Sequence, residues 1–130
     1  MTWTFRDYVD RRGRNAIKEW LGTVPSEVKV KLNARLQHLR DEKVLMDTRF
    51  TEKLKGQGAE GLMEIKFEVG NVQYRPLAFY GPNPGEITIV FPAEERNDRF
   101  VPPGAVGTAQ RRRHEVIADP EGKSCSHDYS

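Results

Sequence analysis

Glu64, Lys66 and Arg75 are the residues whose types and spacing could do chemistry together. Glu64 and Lys66 lie two apart in Met63-Glu64-Ile65-Lys66-Phe67-Glu68-Val69, where apolar and charged residues alternate. A period of two over a β-branched and aromatic run marks a half-buried strand, so both side chains leave on one face. Gly70-Asn71 breaks the run, and a second strand-like segment, residues 72–80, carries Arg75. The two segments predict an antiparallel hairpin. An acid beside basic groups on a sheet face can grip a phosphate and move a proton. A blander reading stands beside that one. Charged residues on an alternating strand are ordinarily its solvated face, and Arg75 could serve a structural ion pair with Glu64. Alternation also sets Arg75 with Leu77 and Phe79, which read as core, so a bulge near Pro76 is needed to turn it outward.

The elements that must position these residues follow from periodicity. Trp3 and Phe5 alternate with Thr4 and Arg6, predicting a strand over residues 2–8. Arg11-Arg12-Gly13 is a turn. Asn15 can cap a short helix with Ile17, Trp20, Leu21 and Val24 at helical spacing, stopped by Gly22 and Pro25. Ser26 caps a second helix whose stripe is Val28, Leu32, Leu36 and Leu39, fading over residues 41–43. Residues 44–60 are less regular and place Lys53 and Lys55 before a Gly56-Gln57-Gly58 turn. After a loop at 81–85, residues 86–92 predict a strand with Ile87, Ile89 and Phe91 on one face. Pro102-Pro103-Gly104 precedes a short helix from Ala105 to about Val116, carrying Arg111, Arg112, Arg113 and His114. Residues 119–130 are polar without an apolar period and read as a flexible tail. The order β-α-α-β-β-β-α makes the chain α+β, with two N-terminal helices packed on one face of a mainly antiparallel sheet. One domain, residues 1–117, is followed by the tail, residues 118–130.

Length and charge narrow the classes. The 130 residues suit one domain with its own core. With 21 Lys and Arg against 19 Asp and Glu the net charge is only +2, too little to coat nucleic acid nonspecifically, so polyanion binding must come from local clusters. Arg111 to Arg113 form one such cluster, readable as a phosphate patch, a partner contact or simply a solvated helix face. No apolar run approaches the roughly 20 residues of a membrane helix, and MTWTFRDYVDRR lacks the apolar core of a secretory leader. The lone Cys125 points to a reducing, cytoplasmic setting. His38, His114 and His127 are scattered, so neither metal nor cofactor is expected.

Four pieces together resemble the RelE/ParE toxin superfamily, and more narrowly its phage-derived, HigB-like branch. They are Trp20-Leu21 followed by Pro25 and Val28, then Leu54-Lys55-Gly56, then Gly61-Leu62-Met63-Glu64-Ile65-Lys66-Phe67, then Tyr74-Arg75-Pro76-Leu77. A fifth runs from Arg96 to Ala109. The resemblance implies a RelE-like fold and the toxin of a type II toxin–antitoxin pair. Such a toxin is a metal-independent endoribonuclease (an mRNA interferase) that cuts messenger RNA on the ribosome and is held by a cognate antitoxin. In that chemistry a ribose 2′-hydroxyl attacks the adjacent phosphate and the 5′-oxygen leaves. The resemblance then makes Arg75 the transition-state stabiliser, Glu64 the base, Lys66 and Lys55 phosphate ligands, and His114 the nearest candidate acid. Lys53, Arg96, Arg99, Arg111 and Arg112 become RNA contacts. The alternatives on the same fold are a non-catalytic, phage-derived binding module and a ParE-like gyrase inhibitor. The discriminating feature is whether Lys55, Lys66, Arg75 and Arg96 or Arg99 converge on an open cleft or are taken up in ion pairs.

Overall fold

The computed structural model describes residues 2–42 and 49–130. Strand β1 is Thr4–Tyr8; helices α1, Ala16–Leu21, and α2, Ser26–Leu39, follow. The Asn15 side chain accepts from the amides of Ile17 and Lys18, two donors that the first turn of α1 leaves without partners. Helix α2 ends at Leu39, so the expected fading falls slightly earlier than read, and Lys43 lies outside the described residues. Strands β2, Thr51–Lys53, β3, Met63–Ile65, β4, Phe67–Val69, and β5, Val72–Tyr80, come next. Strand β6, Glu86–Arg96, and strand β7, Arg99–Val101, form a further hairpin. Helix α3, Ala105–Ala118, the short helix α4, Pro120–Lys123, and strand β8, Ser124–Ser126, complete the chain.

The protein is α+β, with one sheet in the order β2-β3-β5-β6-β1-β8. Its pairings are antiparallel except for β1 with β6. Helices α1 and α2 cover one face, where Ile17, Val28, Leu32 and Leu36 meet Met63, Ile65, Phe67 and Ile87. Helix α3 covers part of the other, where Ala105, Ala109 and Val116 meet Leu62, Leu77, Phe79 and Val90. Helix α3 also grips the loop entering β3: Gln110 Nε2 donates to the carbonyls of Gly58 and Glu60 at 3.1 and 2.8 Å. The Arg113 guanidinium lies over Gly61, where a Cβ would sit 2.7 Å from Cζ and where φ is +84°. The positive φ favours glycine, and a side chain there would also push the guanidinium aside.

The hairpin expected over 62–69 and 72–80 is present, with an interruption. Met63 faces Ala78 and Phe67 faces Tyr74 in one continuous register, which puts Ile65 opposite Pro76. Proline has no N–H to give the ladder, and the Lys66 amide donates to the Phe50 carbonyl at 2.8 Å instead. The bulge sought near Pro76 lies on the partner strand. Leu77 pairs with Phe91 but Ala78 pairs with Ile89, leaving Val90 as an extra residue in β6. Ile87 and Ile89 therefore face α1 and α2, while Phe91 and Ala93 face the α3 side. This corrects the expectation that Phe91 shares a face with the two isoleucines. Strand β6 also runs past residue 92 to turn at Asn97-Asp98, where φ values of 53° and 60° suit the tight hairpin turn.

The expected flexible tail is a second correction. Ser124–Ser126 pairs antiparallel with β1, and His127 is buried beneath it. The apolar period that sequence reading looks for is absent because polar bonds hold this segment. Among the described residues no helix is long and apolar enough to cross a membrane.

Candidate functional site

Glu64 lies on the α3 side of the sheet, beside Leu77. It faces Glu52 across β2–β3 and Leu77 across β3–β5. Alternation sets Lys66 on the same side, and Arg75, opposite Ala93, completes the group. Arg75 does share its face with Leu77 and Phe79, and the β6 bulge does not change this. Its side chain is 11% exposed and fully engaged. Nε donates to Glu95 Oε1 at 3.3 Å, one Nη to the Tyr74 carbonyl at 2.8 Å, and the other to Gln73 Oε1 at 3.0 Å. Lys66 Nζ lies 2.6 Å from Glu52 Oε1 and 3.9 Å from Glu64 Oε1.

Glu64 is 6% exposed, and burial pushes its carboxyl above the usual carboxylate range. Arg75 and Lys66 pull the other way, while Glu52 and Glu95 add to the rise. Glu52, exposed, is held below its usual range by the hydrogen bond from Lys66. Three carboxylates (Glu52, Glu64, Glu95) sit with Lys66 and Arg75, and exposed Lys55 acts on Glu52 from outside the group. The chain matches no family model, no characterised protein and no solved structure.

The arrangement can hold a proton on Glu64 and position a guanidinium beside it. It offers an incoming polyanion little free positive charge. The other candidate residues are dispersed. Lys55, exposed just beyond β2, acts on Glu52. Lys53 lies opposite Met63, on the alternate face. Arg96, one residue past Glu95 and so also turned away, lies 3.7 Å from Glu94, and exposed Arg99 pairs with it across the β6–β7 hairpin. Arg111 bonds Glu115 at 2.9 Å, and Arg112 stacks on Tyr8 with its Cζ 4.5 Å from the ring centroid. His114 is exposed on α3 and is not among the charged groups acting on Glu64. Glu52, Gln73 and Glu95 are the partners that sequence reading missed.

The raised carboxyl makes a stability prediction. Glu64 gains a proton more readily in the fold than in the unfolded chain. Its ionisation therefore weakens the fold as pH climbs from the ordinary carboxylate range through the raised value. Glu64→Gln should melt at a higher temperature than the parent at pH 7, with the gap closing as pH falls below about 4. A variant that melts lower at pH 7 would mean that attraction to Arg75 and Lys66 outweighs burial.

Proposed function

We propose that this chain is a RelE/ParE-like, toxin-type module that acts in the cytoplasm by binding a protein rather than by cutting RNA, and that a cognate antitoxin is among its partners. The element order, with α1 and α2 on one sheet face and a hairpin carrying Glu64 and Arg75, supports the RelE-like reading. One observation carries the choice of binding over cleavage: the cations of the site are taken. Lys66 is paired with Glu52 at 2.6 Å and Arg75 with Glu95 at 3.3 Å, while Arg96, on the other face, lies 3.7 Å from Glu94. Phosphate binding would have to break these pairs with Glu52, Glu64 and Glu95 close by.

A second reading, the metal-independent endoribonuclease, is favoured by Glu64 itself. A desolvated carboxyl between a lysine and an arginine is the environment that tunes a general base. Glu64 would take the 2′-hydroxyl proton as that oxygen attacks phosphorus, Arg75 would stabilise the crowded phosphorane, and the 5′-oxygen would leave as a 2′,3′-cyclic phosphate forms. Protonation of the leaving oxygen has no counterpart in the cluster, since His114 stands outside it.

Induction in growing cells, with growth and cellular messenger RNA followed together, separates the two. The binding reading expects growth arrest with messenger RNA intact, and purified protein that leaves RNA whole with or without ribosomes. Cleavage that disappears in Arg75→Lys or Glu64→Gln protein of parental stability would establish the endoribonuclease and end the binding reading. Neither arrest nor cleavage would leave the non-toxic binding module on the same fold.

A further inference from the structure

A second group of arginines lies where the loop after β1 meets α3. The fold brings the loop at residues 11–14 against α3, so two arginine runs far apart in sequence border one hollow of about 470 Å³, lined by Tyr8, Asp10, Arg11, Arg111, Arg112 and Glu115. Its carboxylates are already committed. Asp10 accepts the amides of Arg12 and Arg14 at 2.8 and 3.0 Å, and Glu115 accepts the Tyr8 hydroxyl at 2.6 Å and Arg111 at 2.9 Å. Among the described residues Arg11 makes no ion pair. Arg112 is clamped between rings, its Cζ 4.5 Å from the Tyr8 centroid and 5.4 Å from that of Phe91, and one Nη donates to the Val90 carbonyl at 2.9 Å. Among the described residues no carboxylate is within 4.0 Å of it; Glu115 and Asp10 act on it from farther off, and burial lowers its pKa.

A second hollow of about 340 Å³ shares Asp10 and Arg112 with the first, and its apolar wall is Ala16, Trp20, Phe91 and Pro92. The two make one trough, cationic at one end and apolar at the other. An anion at the cationic end would give Arg112 a direct charge partner in place of the more distant Glu115 and Asp10. An apolar side chain at the other end would cover Trp20 and Phe91.

We infer that this trough between α1 and α3 binds a short acidic peptide segment of a partner protein, with a carboxylate on Arg11 and Arg112 and an adjacent apolar side chain against Trp20 and Pro92. The inference rests on the protein-binding reading above. A nucleic acid fits less well, because Asp10, Glu19 and Glu115 interrupt the arginines and a continuous phosphate backbone would run across them.

The test is selection from a random-peptide display library on the full-length protein, followed by affinity measurement of the enriched peptides. Enriched peptides should place Asp or Glu beside Leu, Phe or Trp. Their affinity should fall at least about tenfold (~1.4 kcal/mol) with Arg11→Glu, an exposed change that leaves the melting temperature unmoved. The same loss should follow when the peptide's acids are replaced by their amides. Single-stranded oligouridylate should compete far more weakly than unlabelled peptide. Absence of acidic-apolar enrichment, peptides indifferent to Arg11→Glu, or equal competition by oligouridylate would each overturn the inference. A partner protein that binds parent and Arg11→Glu alike would sink this surface while sparing the binding reading; RNA cleavage would sink that reading itself.

Discussion

Deleting residues 124–130 should leave the protein largely unfolded, although the segment carries no apolar stripe. The deletion removes one of the two strands paired with β1, leaving β6, and the buried side chain of His127. The ring Nδ1 lies 2.9 and 3.0 Å from the two Asp7 oxygens, and Nε2 lies 2.8 Å from Asn33 Oδ1. Asn33 Nδ2 donates to the Tyr129 carbonyl at 3.1 Å, which fixes the amide with its oxygen toward the ring. The ring is thus held from both sides, by the Asp7 carboxylate at Nδ1 and by Asn33 Oδ1 at Nε2. Asn15 Nδ2 completes the carboxylate at 2.9 Å while its own oxygen caps α1, so the pair ties β1, α1 and α2 to the end of the chain. Lys18 clasps Asp128 from outside at 2.9 Å.

His127→Ala isolates the buried pair while keeping the strand. Asp7 would remain 1% exposed and lose the ring that meets both its oxygens. Breaking a buried pair from one side costs about 3–5 kcal/mol, against a total of about 5–15 kcal/mol for a typical domain. Urea unfolding should show that loss for His127→Ala, and the deletion should lower stability at least as far. A deleted protein that melts with the parent would show that the segment contributes nothing to the fold.

Hairpin and helices were legible because burial writes a period into sequence: Met63, Ile65 and Phe67 at two, Val28, Leu32 and Leu36 at about four. The β6 bulge was not, since nothing in the Ile87-Thr88-Ile89-Val90-Phe91 run marks an extra residue. Its effect reaches the site. Unbroken alternation from Ile87 would set Glu95 on the helix face, whereas the shift at Val90 carries it to Arg75. The grouping of Glu64, Lys66 and Arg75 could be read from one hairpin's register. The carboxylates that neutralise it could not, because Glu95 depends on that bulge and Glu52 on a three-residue strand, Thr51–Lys53. The docking of residues 124–130 rests on single polar bonds between distant residues, which carry no period at all.

Arg75→Ala decides what the Glu64 face is for. If the face is an ion-paired surface, truncation removes three hydrogen bonds and the guanidinium that offsets Glu64, Glu52 and Glu95. The expected cost is about 3 kcal/mol, the lower range for stranding a buried charge. Arg75→Lys should recover only part of it, because an ammonium cannot serve three acceptors in the plane of a guanidinium fork. Adding Glu64→Gln to Arg75→Ala should recover much more, since the stranded charge is then gone, and the two changes should be strongly non-additive. If the face cuts RNA, the pattern reverses. Arg75→Ala would stay folded and lose about 100- to 1000-fold in cleavage rate, as for removal of one preorganised transition-state donor. Glu64→Gln would abolish the base, and the double variant would recover nothing. Melting curves and RNA cleavage on the same four proteins therefore give opposite patterns, and a parental melting temperature for Arg75→Ala would refute the structural role assigned to the pair.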